Sequence, residues 1–66
     1  MDIGNILKVI RKERKLTLKE LGRRADVHAN TVNRIEKGQH GATFGAVERI
    51  ALALGYELEL MEIQKD

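Results

Sequence analysis

Apolar residues recur at helical spacing in four stretches of this chain, and each stretch is bounded by residues that start or stop helices. Ile3, Ile6, Leu7 and Ile10 fall at i, i+3, i+4 and i+7 and predict a first helix over residues 3–14, with these four as its inward stripe. Asp2 stands where its carboxylate can accept a first-turn backbone N–H. Leu18, Leu21 and Ala25 mark the inward face of a second helix over 18–24. Thr17 and Glu20 precede and open it with the Thr-x-x-Glu spacing of a capping box. Val32 and Ile35 anchor a third helix over 29–37, entered through His28, an unusual N-cap, and stopped by Gly38. Phe44, Val47, Ile50, Ala51 and Leu54 form the buried stripe of a fourth, over 44–54, between Thr43 as cap and Gly55 as terminator. Residues 39–42 read as a loop.

Three positions depart from the pattern in useful ways. Gly22 sits mid-helix, where it costs about 1 kcal/mol relative to alanine. A close approach of two helices would explain it. Asp26 occupies the turn after the second helix, where a positive φ is expected and Asp is tolerated. Val27 plugs the gap between the second and third helices. After Gly55 the pattern changes. Tyr56, Leu58 and Leu60 alternate with Glu57 and Glu59 as a strand would, yet Tyr56, Leu60 and Ile63 also fit one helical face. The preceding glycine and the strict alternation favour strand.

Composition narrows the function. Sixty-six residues make one domain at most, with a core too small to be comfortable without oligomerisation or close helix packing. There is no cysteine, so disulfides and thiolate metal sites are excluded. The longest apolar run, Ile50 to Leu54, is five residues, far short of the ~20 that span a bilayer. No basic-then-apolar leader opens the chain, and the expectation is a soluble, cytoplasmic protein without membrane partners. Serine is absent, and there is no glycine-rich phosphate loop, ligand cluster or nucleophile–base pair. The reading is therefore no enzyme and no cofactor or metal. The net charge of +2 hides an asymmetry: residues 1–41 carry ten Lys/Arg and five Asp/Glu, and residues 42–66 carry two and five. A basic first part suits a polyanion-binding face, although charge alone fits an ordinary solvated surface equally well.

The stretch from Leu16 to Gly38, LTLKELGRRADVHANTVNRIEKG, reads as two short helices joined by a tight turn, with small polar residues opening the second. It resembles the lambda-repressor-like helix-turn-helix domain, the Cro or XRE family, over roughly residues 3 to 55. The matching residues are Arg11, Leu16-Thr17, Glu20-Leu21, Val27, Thr31-Val32, Arg34-Ile35-Glu36, Gly38 and Ala53-Leu54-Gly55. The family usually has alanine at Gly22, and often glycine at Asp26 and serine at His28. Many members continue into a fifth helix where this chain has YELELMEI. That tail is similar to those of small antitoxin-type repressors, whose C-terminal strands pair between subunits. The resemblance implies a compact all-α, four-helix lambda-repressor-like domain over residues 1–55. A dimerisation tail follows over 56–66, a β-strand or a short fifth helix.

The resemblance also implies a function: a dimeric repressor of transcription that binds double-stranded DNA with the third helix in the major groove. Ala29, Asn30 and Arg34 are placed by it at base edges. Asn can pair bidentately with adenine and Arg with guanine, and Ala can touch a thymine methyl. Phosphate contacts are expected from helix N-termini and cations: Thr17, Lys19, Arg23, His28, Asn33, Lys37, Gln39, His40 and Thr43. Arg11 and Glu36 are implied to pair across the first and third helices, against a competing reading of Arg11 as a phosphate ligand. Tyr56, Leu58 and Leu60 are the expected homodimer contacts, since a lone strand leaves backbone groups unpaired. The alternative is an antitoxin that also neutralises a partner protein, a toxin.

Overall fold

Four helices follow one another in the computed structural model, which describes residues 2–39 and 43–58. They are α1 (Ile3–Glu13), α2 (Leu18–Ala25), α3 (Ala29–Glu36) and α4 (Phe44–Ala53). Among the described residues there is no strand. Each end lies within a residue or so of its expected place: Arg14, Lys37 and Leu54 act as C-caps rather than as last helical residues.

Local chemistry sets the starts and stops. Asp2 Oδ1 accepts the Asn5 N–H at 3.3 Å, and Thr43 Oγ1 accepts that of Ala46 at 3.1 Å. At α2 the capping box is complete: Thr17 Oγ1 accepts from the Glu20 N–H at 3.0 Å, and Glu20 Oε1 accepts from the Thr17 N–H at 2.9 Å. His28 holds the extended backbone of an N-cap but makes no capping bond with its side chain. Asp26 takes up the left-handed conformation at φ 59°, and Gly38 does so at the end of α3 with φ 72°. Lys15 also has a positive φ, 56°, which the sequence did not signal.

The Glu20 carboxyl is held below its ordinary value, first by the backbone N–H of Thr17 and then by the Thr17 side chain, with Arg24 and Arg23 adding to the effect. A carboxyl whose value falls on folding stabilises the fold fully above its unfolded value of 4.5. That contribution is lost as pH falls through the lower folded value. We therefore expect Glu20→Gln to be less stable to urea than the wild type at pH 7 and to lack the acid-sensitive loss below pH 4.5, so that the two proteins converge in acid.

The core among the described residues consists of Leu7, Leu16, Leu21, Ala25, Val32, Ile35, Ile50, Ala51 and Leu54. Leu18, Val27 and Val47 pack half-buried at its edge. Gly22 lies where α2 meets the start of α3: a Cβ there would stand 2.6 Å from the Val27 carbonyl oxygen. The close approach accounts for the mid-helix glycine.

Three expected core positions are corrected. Ile3 and Ile6 are exposed, because α1 packs through Gly4, Leu7 and Arg11 instead. That face lies one step round the helix from the predicted stripe. Gly4 brings α1 against the backbone of α3, and the branched residues beside it are turned to the flank. Phe44 is also exposed, because α4 is buried through its later turns, at Ile50 and Ala51. His40 and Leu60 lie outside the described residues, as does all of the tail beyond residue 58.

Candidate nucleic-acid interface

The third helix is held from below. Val32, Ile35 and Glu36 are buried, and the backbone turn from Asp26 through His28 delivers the chain onto α2 at Gly22. A helix fixed on that side must show its remaining residues outward. Asn30, Arg34 and Lys37, at i, i+4 and i+7, are all exposed and form its outer ridge. Ala29, Thr31 and Asn33 are half-buried along its shoulders.

The second helix adds cations beside this ridge. Lys19, Arg23 and Arg24 are exposed on α2, and its N-terminal end, at exposed Thr17, carries the positive end of the helix dipole. Arg23, Asp26 and His28 line an open cleft at the turn with Gly22 and Val27. Gln39 and Thr43 are exposed as well.

The angle of α3 is fixed by an ion pair. Arg11 Nε donates to Glu36 Oε2 at 2.7 Å, and Nη2 donates to Oε1 at 3.1 Å. The remaining guanidinium nitrogen, Nη1, donates to the Leu16 carbonyl at 2.8 Å. Both residues are buried. The arginine thus ties α1, the α1–α2 connection and the end of α3 together with one planar group. With its donors committed inside the protein, it is not available to a phosphate.

Two positions played a part that sequence reasoning did not assign. Arg14 donates to the Leu54 carbonyl and places its guanidinium 5.7 Å from the centre of the Tyr56 ring, closing the end of α4 against the end of α1. Gly4 sets the α1–α3 approach. Neither has a local signal, since each acts on residues distant in the chain. Tyr56 is exposed apart from that contact, and Leu58 is half-buried against the core of its own chain.

This arrangement, two helices across a tight turn with the second presenting a polar ridge, coincides with a match to the helix-turn-helix family model over residues 7–61. The chain belongs to the Cro/XRE-type helix-turn-helix family. The chain is also similar to the Immunity repressor protein of Bacillus phage phi105, 34% identical over 58 residues, which is 88% of this chain and 40% of that protein. This chain therefore corresponds to less than half the length of that relative. Among the described residues, no helix is long and apolar enough to cross a membrane, and no group of His, Asp or Glu is placed to hold a metal ion.

Proposed function

We propose that this helix-turn-helix protein is a sequence-specific DNA-binding repressor that acts by occupying its operator, with α3 in the major groove. The observation that carries the reading is the division of α3 into a buried underside, Val32, Ile35 and Glu36, and an exposed ridge, Asn30, Arg34 and Lys37. Asn30 and Arg34, with Ala29 beside them, read base edges, and Arg34 supplies the planar fork suited to guanine. Thr17, Lys19, Arg23, His28, Asn33, Lys37, Gln39, His40 and Thr43 meet phosphates and set the register on the duplex. The likeness to a phage immunity repressor favours this reading over that of an antitoxin with a toxin partner.

The protein acts as a homodimer on an inverted repeat, with residues 56–66 as the dimerisation tail. Two half-sites about 34 Å apart then meet two recognition helices.

Footprinting and gel shifts on DNA flanking the coding sequence test the proposal. Asn30→Ala and Arg34→Ala should each cost about 1–3 kcal/mol of binding and relax preference at one position of each half-site. Lys19→Ala should weaken binding to all sequences alike and reduce the slope of log K against log salt by about 0.9. Folded protein that protects no specific site at moderate salt would refute the reading.

A further inference from the structure

His28 stands where a helix-starting side chain is wanted and does not act as one. Its backbone has the N-cap conformation, but its side chain makes no capping bond, where Ser, Thr, Asp or Asn would supply one. The residue is exposed and lines the open cleft at the turn with Arg23 and Asp26. Asn30, the first residue of the α3 ridge, follows two positions later. The start of α3 thus gains nothing from this imidazole. What distinguishes histidine is that it changes charge between pH 5 and 8. The charged groups around it come from three elements. Arg23 is in the last turn of α2, Asp26 lies in the turn, and Arg49 of α4 donates to the Asp26 carbonyl at 3.5 Å. The first turn of α3 carries no charged side chain and presents the positive end of the helix dipole.

We propose that the protein takes up a proton at His28 when it binds DNA, so that pH sets its affinity for the operator. The inference rests on the DNA-binding reading above and adds a regulation to it. A duplex laid along the start of α3 brings phosphate to a cleft whose own charged side chains, Arg23 and Asp26, are of opposite sign. Phosphate beside the ring favours the imidazolium over the neutral form. A ligand that favours the charged form binds together with a proton, and the proton in turn strengthens binding of the ligand. The sign follows: affinity is highest at low pH, where the ring is already charged, and falls as pH rises through the histidine range. Few other groups in the chain titrate there. It has two histidines, His28 and His40, and no cysteine. Carboxylates titrate below this range, lysines above it, and the α-amino group near 8 is common to every variant.

Fluorescence anisotropy on the DNA fragment protected in footprinting tests this, from pH 5.5 to 8 at one salt concentration, with circular dichroism confirming helix content at each pH. The wild-type dissociation constant should rise about tenfold per bound chain across the range, the effect of a one-unit shift by a neighbouring opposite charge. The slope of log K against log salt should be steeper at pH 5.5 than at pH 8 by about 0.9 per bound chain, for one more neutralised phosphate. His28→Gln should bind at every pH about as the wild type does at pH 8. His28→Lys, charged throughout, should bind tightly at both ends of the range. His40→Gln should keep the wild-type pH dependence, whatever its affinity. A flat wild-type profile on a fragment that is still bound specifically would overturn this inference and leave the DNA reading standing. So would a pH dependence that survives His28→Gln or vanishes in His40→Gln. If no fragment is protected at any pH, the DNA reading falls and this inference with it. A rise abolished by His28→Gln and kept in His40→Gln, with helix content unchanged, supports it.

Discussion

Replacing Glu36 by alanine should remove a large share of the protein's folding free energy at 25 °C. Arg11 and Glu36 form a two-bond pair at 2.7 and 3.1 Å in which the side chains are only 10% and 4% exposed. Removing the carboxylate strands a buried guanidinium, a loss of about 3–5 kcal/mol when one partner of such a pair is deleted. A chain of this size has about 3–10 kcal/mol in total, on the general scale of 0.05–0.15 kcal/mol per residue. Most of the penalty is the unpaired charge and not the attraction itself. Replacing both partners, Arg11→Met with Glu36→Leu, should therefore recover much of the loss. Urea unfolding followed by circular dichroism measures all three variants. A loss below about 1 kcal/mol for Glu36→Ala would mean that the pair behaves as an exposed one and that α3 is oriented by packing alone.

The parts of this fold that could be read from the chain are those decided within four residues. The Thr17–Glu20 capping box, the Asp2 and Thr43 caps, the left-handed Asp26 and the stop at Gly38 each depend on one side chain and a nearby backbone group, and each lies where the residue types require. The face of α1 was not legible in this way. Ile3, Ile6, Leu7 and Ile10 form a helical stripe by any periodic reading, yet only Leu7 is fully buried. What turns the helix is a glycine and an arginine, residues that a hydrophobic pattern scores as outward. Their partners, the Ile35 carbonyl and Glu36, lie more than twenty positions along the chain. Gly22 marks the boundary between the two cases. Its oddity in a helix pointed to a close contact, and the contact with Val27 is near enough in sequence to be anticipated.

The candidate site divides similarly. Asn30 and Arg34 are exposed because Val32 and Ile35, next to them in the chain, must be buried, so their outward direction follows from spacing alone. That these side chains meet bases is carried by the family pattern, not by periodicity. Tyr56 read as an interface residue from alternation, but its contact with Arg14 depends on where α1 and α4 end in space. The alternation gave no hint of it.

The second large effect concerns Gly4, and its sign runs against helix propensity. Alanine in place of a helical glycine ordinarily gains up to about 1 kcal/mol. At Gly4 the added Cβ would stand 2.1 Å from the Ile35 carbonyl oxygen and 3.1 Å from that of Glu36. The obstacle is backbone already bound into α3, so no side chain can swing aside, and α1 must lift away from α3 as a whole. We expect Gly4→Ala to cost about 3 kcal/mol, at the upper end for overpacking a tight contact. Lifting α1 also stretches the Arg11–Glu36 pair, so its effect and that of Glu36→Ala should be strongly non-additive in a double-mutant cycle. Gly45 supplies the internal control. It is helical and exposed, and the nearest atom to its added Cβ is Thr43 Oγ1 at 3.9 Å. Gly45→Ala should stabilise by about 0.5–1 kcal/mol. Urea midpoints moving in opposite directions for the two alanines would show that helix–helix distance, and not backbone entropy, dictates glycine at position 4. A neutral or stabilising Gly4→Ala would mean that α1 can dock on α3 with a wider gap, and the close approach would then not be what turns Ile3 and Ile6 outward.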